Sequence, residues 1–279
     1  MASAIQQLIK DRKESIAIIN KAFANPMQCY VIHYSCESFY NQKSGQSTRI
    51  TSIALRNLAN AQTHHWALNR SAELLKIDVN DPANLDKLET DLLNKYFEFI
   101  KNYSNFTYIH WNMRDNNYGF QALQHRYEVL GGTPFILQDD KKVDLARLAV
   151  SIYGRNYIGH EAKNGRKGRM LALVEKNKIA DKDVMTGEQE AEAYTNAKYR
   201  ELEMSTLRKV DVLCNIAERI NDKSLKTNNK WYSVRSYHPL WILESMKEHW
   251  ILTLMGILIV FISIFQKTND LITFFTVSR

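Results

Sequence analysis

The sequence predicts an α/β domain with a mixed sheet and packed helices, followed by one membrane-spanning helix near the C-terminus. Two observations predict the domain. Three stretches with strand-like patterns follow one another early in the chain, and amphipathic helical stretches then alternate with a further strand. The membrane helix is predicted from a run of 17 residues without a charge, Trp250 to Gln266.

Composition supports a folded chain. The 279 residues are 45% hydrophobic and 11% aromatic, which a disordered chain would not be. The net charge of +7 favours phosphate-bearing partners or an anionic membrane surface, although a solvated surface with spare lysines is an equal alternative. Cys29, Cys36 and Cys214 form no metal or disulfide pattern, which suits a reducing compartment.

The first part of the chain predicts a helix and then strands. Ile5, Leu8, Ile16 and Ile19 recur with helical spacing over residues 3–24, and Pro26 ends that helix. Alternating or continuous apolar residues predict three strands, at 28–34, 47–55 and 63–68.

Helices dominate the rest of the domain. Amphipathic spacing predicts helices at 84–100, 118–130, 141–153 and 187–220, with one strand at 105–111. The predicted organisation is an N-terminal helix (1–26), an α/β domain (27–220), a linker and juxtamembrane segment (221–249), a transmembrane helix (250–266) and a short apolar tail (267–279).

Several motifs fall at the ends of the predicted strands. The first strand ends in Ser35-Cys36-Glu37, and His110-Trp-Asn-Met-Arg-Asp115 follows the later strand. The second strand contains Ile-Thr-Ser-Ile-Ala, and Asp144 precedes a Leu-Ala helix. This pattern resembles the ribonuclease H-like, DEDD-type 3′–5′ exonuclease family over roughly residues 28–220, so the fold expected is ribonuclease H/exonuclease-like.

The resemblance implies a site in which carboxylates hold two divalent ions, Mg²⁺ or Mn²⁺. Glu37 and Asp115 stand at matching positions and are the candidate catalytic and metal-binding residues. Ser35 replaces the first aspartate of the family, and a neutral hydroxyl is a poor Mg²⁺ ligand. Tyr194 matches the tyrosine of a Tyr-x-x-x-Asp motif of the family, but Lys198 stands in place of its aspartate. The metal site is therefore expected to be degenerate. The alternative is that Glu37 and Asp115 are only turn or cap residues.

A glycine-rich basic segment lies at residues 154–169. Glycine lets backbone N–H groups approach phosphate, and basic side chains supply charge. We therefore predict binding of a nucleotide or nucleic acid, with an ordinary solvated loop as the alternative. The candidate binding residues are Arg155, Lys163, Arg166, Lys167 and Arg169.

The flanks of the uncharged run are typical of a membrane interface. Trp241, Lys247 and His249 precede it and Lys267 follows it. Lys and Arg are far more numerous before the run, so the positive-inside rule predicts a single-pass protein of the cytoplasmic membrane with its N-terminal domain in the cytoplasm. The seven-residue tail Leu271 to Val277 cannot cross a bilayer and offers surface for packing between copies, so a homo-oligomer is expected.

Together these features predict a membrane-anchored cytoplasmic module that binds a nucleotide or nucleic acid without cleaving it and acts through its membrane helix. Architecture alone suggests a sensor–effector, for example in antiviral defence. Two alternatives stay open. One is an active metal-dependent 3′–5′ exonuclease or phosphodiesterase at the membrane, with Mg²⁺ or Mn²⁺ as cofactor. The other is an adaptor that recruits a partner to the bilayer.

Overall fold

A computed structural model describes residues 4–37, 47–115, 117–229 and 250–277. Residues 11–228 form one compact unit, and residues 1–10 with 229–279 form another. The strands are β1 (Cys29–Cys36), β2 (Ile50–Asn57), β3 (Thr63–Ala67), β4 (Thr107–His110) and β5 (Lys142–Asp144). The helices are α1 (Ala4–Ala24), α2 (Leu68–Leu75), α3 (Leu85–Asn102), α4 (Phe120–Val129), α5 (Leu145–Tyr153), α6 (Arg169–Asn177), α7 (Gly187–Thr195), α8 (Tyr199–Asn221) and α9 (Trp250–Val277).

The strands form one mixed five-stranded sheet in the order β3-β2-β1-β4-β5. β2 lies antiparallel to β1 and β3, with Ile32 opposite Leu55. β4 lies parallel to β1 and β5, with Val31 beside Ile109. The α/β class with a mixed sheet and packed helices is therefore confirmed.

Helices cover both faces of the sheet because β1 is apolar on both faces. Val31 packs in one core with residues of α1, α5, α6 and α8. Its neighbour Ile32 packs in the other core with residues of α3 and α4. Both side chains are fully buried. β1 is thus the central strand on which the two cores are built.

Two predicted helices differ from the structure. The helix predicted at 141–153 begins only at Leu145, because residues 142–144 pair with β4 as an edge strand. The side chain of Asp144 then caps α5 by accepting from the backbone N–H groups of Ala146 and Arg147. The helix predicted at 187–220 is two helices, since α7 ends at Thr195 and α8 begins at Tyr199. Part of the predicted linker, 230–249, lies outside the described residues.

The C-terminal helix α9 contains the predicted transmembrane segment, 250–266, and continues to Val277 through residues that were predicted as a separate tail. Its large apolar side chains between Leu254 and Phe265 are 48% to 70% exposed. Within the described ranges, no helix combines the length and apolar character needed to cross a membrane.

Candidate functional site

A cavity of about 840 Å³ opens at the carboxyl ends of β1 and β4. In open α/β sheets the crevice beyond these ends is where ligands commonly bind. Ser35 and Glu37 reach the cavity from the end of β1, and Trp111 follows the end of β4. The sheet thus brings the ends of the two predicted motif strands to one place.

An ion pair occupies the wall of this cavity beside Ser35. Lys209 Nζ of α8 lies 2.6 Å from Glu190 Oε1 of α7, and the two side chains are only 7% and 14% exposed. The hydroxyls of Ser35 and Ser205 each donate to the same carboxylate oxygen at 2.9 Å. Ser35 Oγ also lies 2.8 Å from Thr206 Oγ1. Oε1 of Glu190 therefore has one cationic partner and two hydroxyl partners.

The donor set does not fit a divalent metal ion. Mg²⁺ needs several oxygen ligands, preferably carboxylates, in an octahedral arrangement. Here Ser35 offers a neutral hydroxyl, and the Lys209 ammonium lies 2.6 Å from an oxygen of Glu190. In the part of the chain that the structure describes, no group of three or more His, Cys, Asp or Glu residues is placed to hold a metal.

The two predicted carboxylates have different surroundings. Glu37 lines the cavity, and its backbone N–H donates to Arg49 O at 2.8 Å. Asp115 is not among the cavity-lining residues, and its Oδ1 accepts from the backbone N–H groups of Asn117 and Tyr118 at 2.9 and 2.6 Å. These contacts make Asp115 a turn-capping residue.

The predicted basic segment contributes one cation to the cavity. Arg169 lines it at the start of α6. Arg166 instead pairs with Asp181 and donates to Val184 O, and Lys167 pairs with Glu188. Arg155 and Lys163 are exposed and are not among the lining residues.

Further cations line the cavity from other elements. Arg114 pairs with Asp144, Nη1 to Oδ2, at 3.2 Å. Arg147 on α5 is exposed, and its guanidinium has no carboxylate partner among the described residues. Among the described residues the cavity is lined by four cationic side chains, Arg114, Arg147, Arg169 and Lys209, and by two carboxylates, Glu37 and Glu190. The lining therefore favours an anionic ligand.

Aromatic side chains complete the lining. Tyr118 stacks on Tyr34 with ring centroids 4.5 Å apart, and its hydroxyl lies 3.2 Å from His33 Nδ1. Burial, and then the nearby charge of Lys209, holds the pKa of His33 well below its usual range. His33 is therefore neutral at physiological pH and adds no charge to the cavity.

Motif analysis assigned no binding role to Glu190, Lys209, Arg147 or Arg114, which line the cavity. One signal pointed to Lys209, because it interrupts the buried stripe Leu202, Thr206, Leu213 and Ile216 of α8. A lysine within an apolar stripe is rarely left unpaired.

A scan against models of known protein families finds no match, and neither does a search of curated protein sequences.

Proposed function

We propose that the protein is a binding module for a nucleotide or the end of a nucleic acid strand, and that its exonuclease-like site does not hydrolyse the ligand. The Lys209–Glu190 ion pair carries the proposal. It lies beside Ser35, where the resemblance implies the first metal-binding carboxylate. Because an ammonium already neutralises Glu190, the site attracts phosphate without the ions that hydrolysis would require.

The order of elements supports the resemblance on which this proposal rests. Three antiparallel strands in sequence are followed by parallel strands and helices. The ends of adjacent strands β1 and β4 carry the two quoted motifs, Ser35 to Glu37 and His110 to Asp115. Arg147, Arg169 and the indole of Trp111 line the same cavity, and these groups suit a phosphate and a base.

Binding assays with and without metal test the proposal. Purified full-length protein is incubated with labelled single-stranded DNA, single-stranded RNA and mononucleotides, either in EDTA or with Mn²⁺. We expect binding in EDTA and no shortening of the strands with Mn²⁺. Arg147→Gln should weaken binding several-fold, whereas Lys176→Gln removes an equal charge outside the cavity and should leave binding unchanged.

The two alternative functions give different results. Stepwise shortening of the strands with Mn²⁺, abolished by Glu37→Gln, would identify an active exonuclease and overturn the proposal. Absence of binding to all three classes of probe would instead favour the adaptor.

We also propose that α9 holds this module at a membrane. The support is an apolar run from Leu254 to Phe265 whose large side chains are about half or more exposed. A surface of this kind is stabilised by lipid or by packing against other copies. We propose that the binding module and its anchor act together as the sensor–effector predicted from the sequence.

A further inference from the structure

Two buried polar groups next to the cavity have no hydrogen-bond partner. Tyr157 is fully buried, yet its hydroxyl has no partner among the described residues. Nε of Arg169 is also buried and unpartnered within the same part of the chain. Both residues line the cavity. Unsatisfied buried groups are costly and uncommon, so two of them beside one cavity call for an explanation.

We propose that Tyr157, Arg169 and Arg147 form a subsite for a phosphate monoester, the terminal phosphate of the ligand; this rests on the proposed function. A terminal phosphate presents three free oxygens in different directions. Its three oxygens match in number the three donor residues that line the cavity, Tyr157, Arg169 and Arg147. A phosphodiester within a strand has only two free oxygens, and a carboxylate has two oxygens in one plane.

Contacts elsewhere hold the two buried groups in position. The Arg169 guanidinium carbon lies 5.8 Å from the centroid of the Tyr157 ring, and one terminal nitrogen of Arg169 donates to Arg155 O at 3.4 Å. The Tyr157 backbone N–H donates to Gly154 O, and its carbonyl accepts from the Asn228 N–H at 2.7 Å. The donors are thus fixed before a ligand arrives, which lowers the entropic cost of binding.

Charge favours a dianion at this subsite. Among the described residues neither Arg147 nor Arg169 has a carboxylate partner, whereas Arg114 already neutralises the nearby Asp144. Burial raises the pKa of the Tyr157 hydroxyl to about 12; Arg169 opposes the shift and Asp144 adds to it. The hydroxyl therefore stays protonated and able to donate at neutral pH.

Titration of the full-length protein in EDTA with inorganic phosphate tests the subsite. Further probes are a dinucleotide carrying a terminal phosphate, the same dinucleotide without it, and acetate. We expect inorganic phosphate and the phosphorylated dinucleotide to bind, and the terminal phosphate to improve dinucleotide affinity at least tenfold. Acetate should not compete. Tyr157→Phe and Arg169→Gln should each weaken phosphate binding about tenfold, because each removes a hydrogen bond to a charged group.

Lys176→Gln is the matched control, since it removes one exposed charge from the end of α6, outside the cavity. Phosphate affinity should stay within twofold of the unchanged protein. Phosphate binding that is absent, or that is unaffected by both Tyr157→Phe and Arg169→Gln, would overturn the subsite. Competition by acetate at similar concentration would also overturn it, in favour of a carboxylate site.

Failure of the subsite is distinguishable from failure of the proposed function. Nucleotide binding that is weakened by Arg147→Gln, but not by Tyr157→Phe, by Arg169→Gln or by loss of the terminal phosphate, would contradict the subsite. It would still support the binding module. If inorganic phosphate binds through Tyr157 and Arg169 but no nucleotide binds more tightly than phosphate, the subsite stands and the proposed nucleotide function falls.

Discussion

Ser35 Oγ lies 2.9 Å from Glu190 Oε1, the oxygen that Lys209 Nζ approaches to 2.6 Å. The contact joins the end of the central strand to two helices far along the chain. Because the hydroxyl and the ammonium both stabilise the ionised carboxylate, this wall of the cavity carries an internal ion pair. The first prediction concerns the energetic role of that pair.

Replacing Lys209 with Met should lower the free energy of unfolding by about 3–5 kcal/mol, because it leaves a largely buried carboxylate without its cation. The double variant Lys209→Met, Glu190→Gln should recover most of the loss, since glutamine keeps acceptors for Ser35 and Ser205. Urea denaturation of the four proteins of this cycle gives the coupling energy. Additive losses would mean that the two side chains are not coupled.

Acid should destabilise the fold partly through Glu203. Burial favours the neutral acid, but hydrogen bonds from His65, Asn69 and Arg70 outweigh it and lower the pKa of Glu203 to about 2. A depressed pKa contributes stability above the ordinary value of 4.5, and this contribution is lost as the pH falls from about 4.5 to 2.

Glu203→Gln should therefore reduce stability at pH 7 by about 2 kcal/mol and flatten its pH dependence between 4.5 and 2. Urea denaturation across this range measures both effects. Glu201→Gln is the control, because its ion pair with Lys198 is about half exposed and should contribute below about 0.5 kcal/mol. If the free energy of unfolding of Glu203→Gln depends on pH as it does in the unchanged protein, Glu203 does not contribute to acid destabilisation.

Gly119 should not tolerate a side chain. A Cβ there would lie 2.7 Å from the carbonyl carbon of Met113 and 2.8 Å from Arg114 N, and backbone cannot move aside cheaply. Gly119→Ala should lower stability by about 1–3 kcal/mol and disturb the 2.8 Å hydrogen bond from Gly119 N to Tyr34 Oη.

Gly187→Ala is the matched control for Gly119, because a Cβ at Gly187 meets nothing within 4 Å. It should be neutral or stabilising by up to about 1 kcal/mol. Thermal unfolding of both variants compares them. Equal stability of the two would show that the chain near Met113 relaxes without cost.

Deletion of residues 250–279 should release a folded domain from membranes, because residues 11–228 form their own compact unit. Full-length protein should sediment with membranes and should stay bound to them during a wash with high salt. Release of the full-length protein by salt, or misfolding of the shortened chain, would contradict the anchor.

Assembly through the C-terminal segment is a separate prediction. Exposed Phe261 and Phe265 offer surface for packing between copies of α9. Cross-linking should detect oligomers of the full-length protein, but not of a variant in which an unrelated single-span anchor replaces α9. Expression of the full-length protein together with the ligand that triggers it should depolarise cells, whereas expression of the variant should not. Equal oligomers or equal depolarisation from both proteins would make α9 a passive tether.

The sequence by itself determined the elements whose patterns are local. The spacing of Leu88, Leu92 and Tyr96 predicted α3, and the run from Gln28 to Tyr34 predicted the buried strand β1. β5 was missed because three residues carry no period and pair only after β4 is in place. The break between α7 and α8 was missed because residues 196–198 include neither glycine nor proline.

The tertiary structure alone decided the site. Glu37 could be placed from its position at the end of a strand, but an ion pair such as Lys209–Glu190 joins two helices through a fold that no local pattern encodes. Arg169 and Arg166 share one basic segment, yet one lines the cavity and the other pairs with Asp181. Composition sets the charge of a segment, whereas packing decides which guanidinium is left without a carboxylate partner and able to meet a ligand.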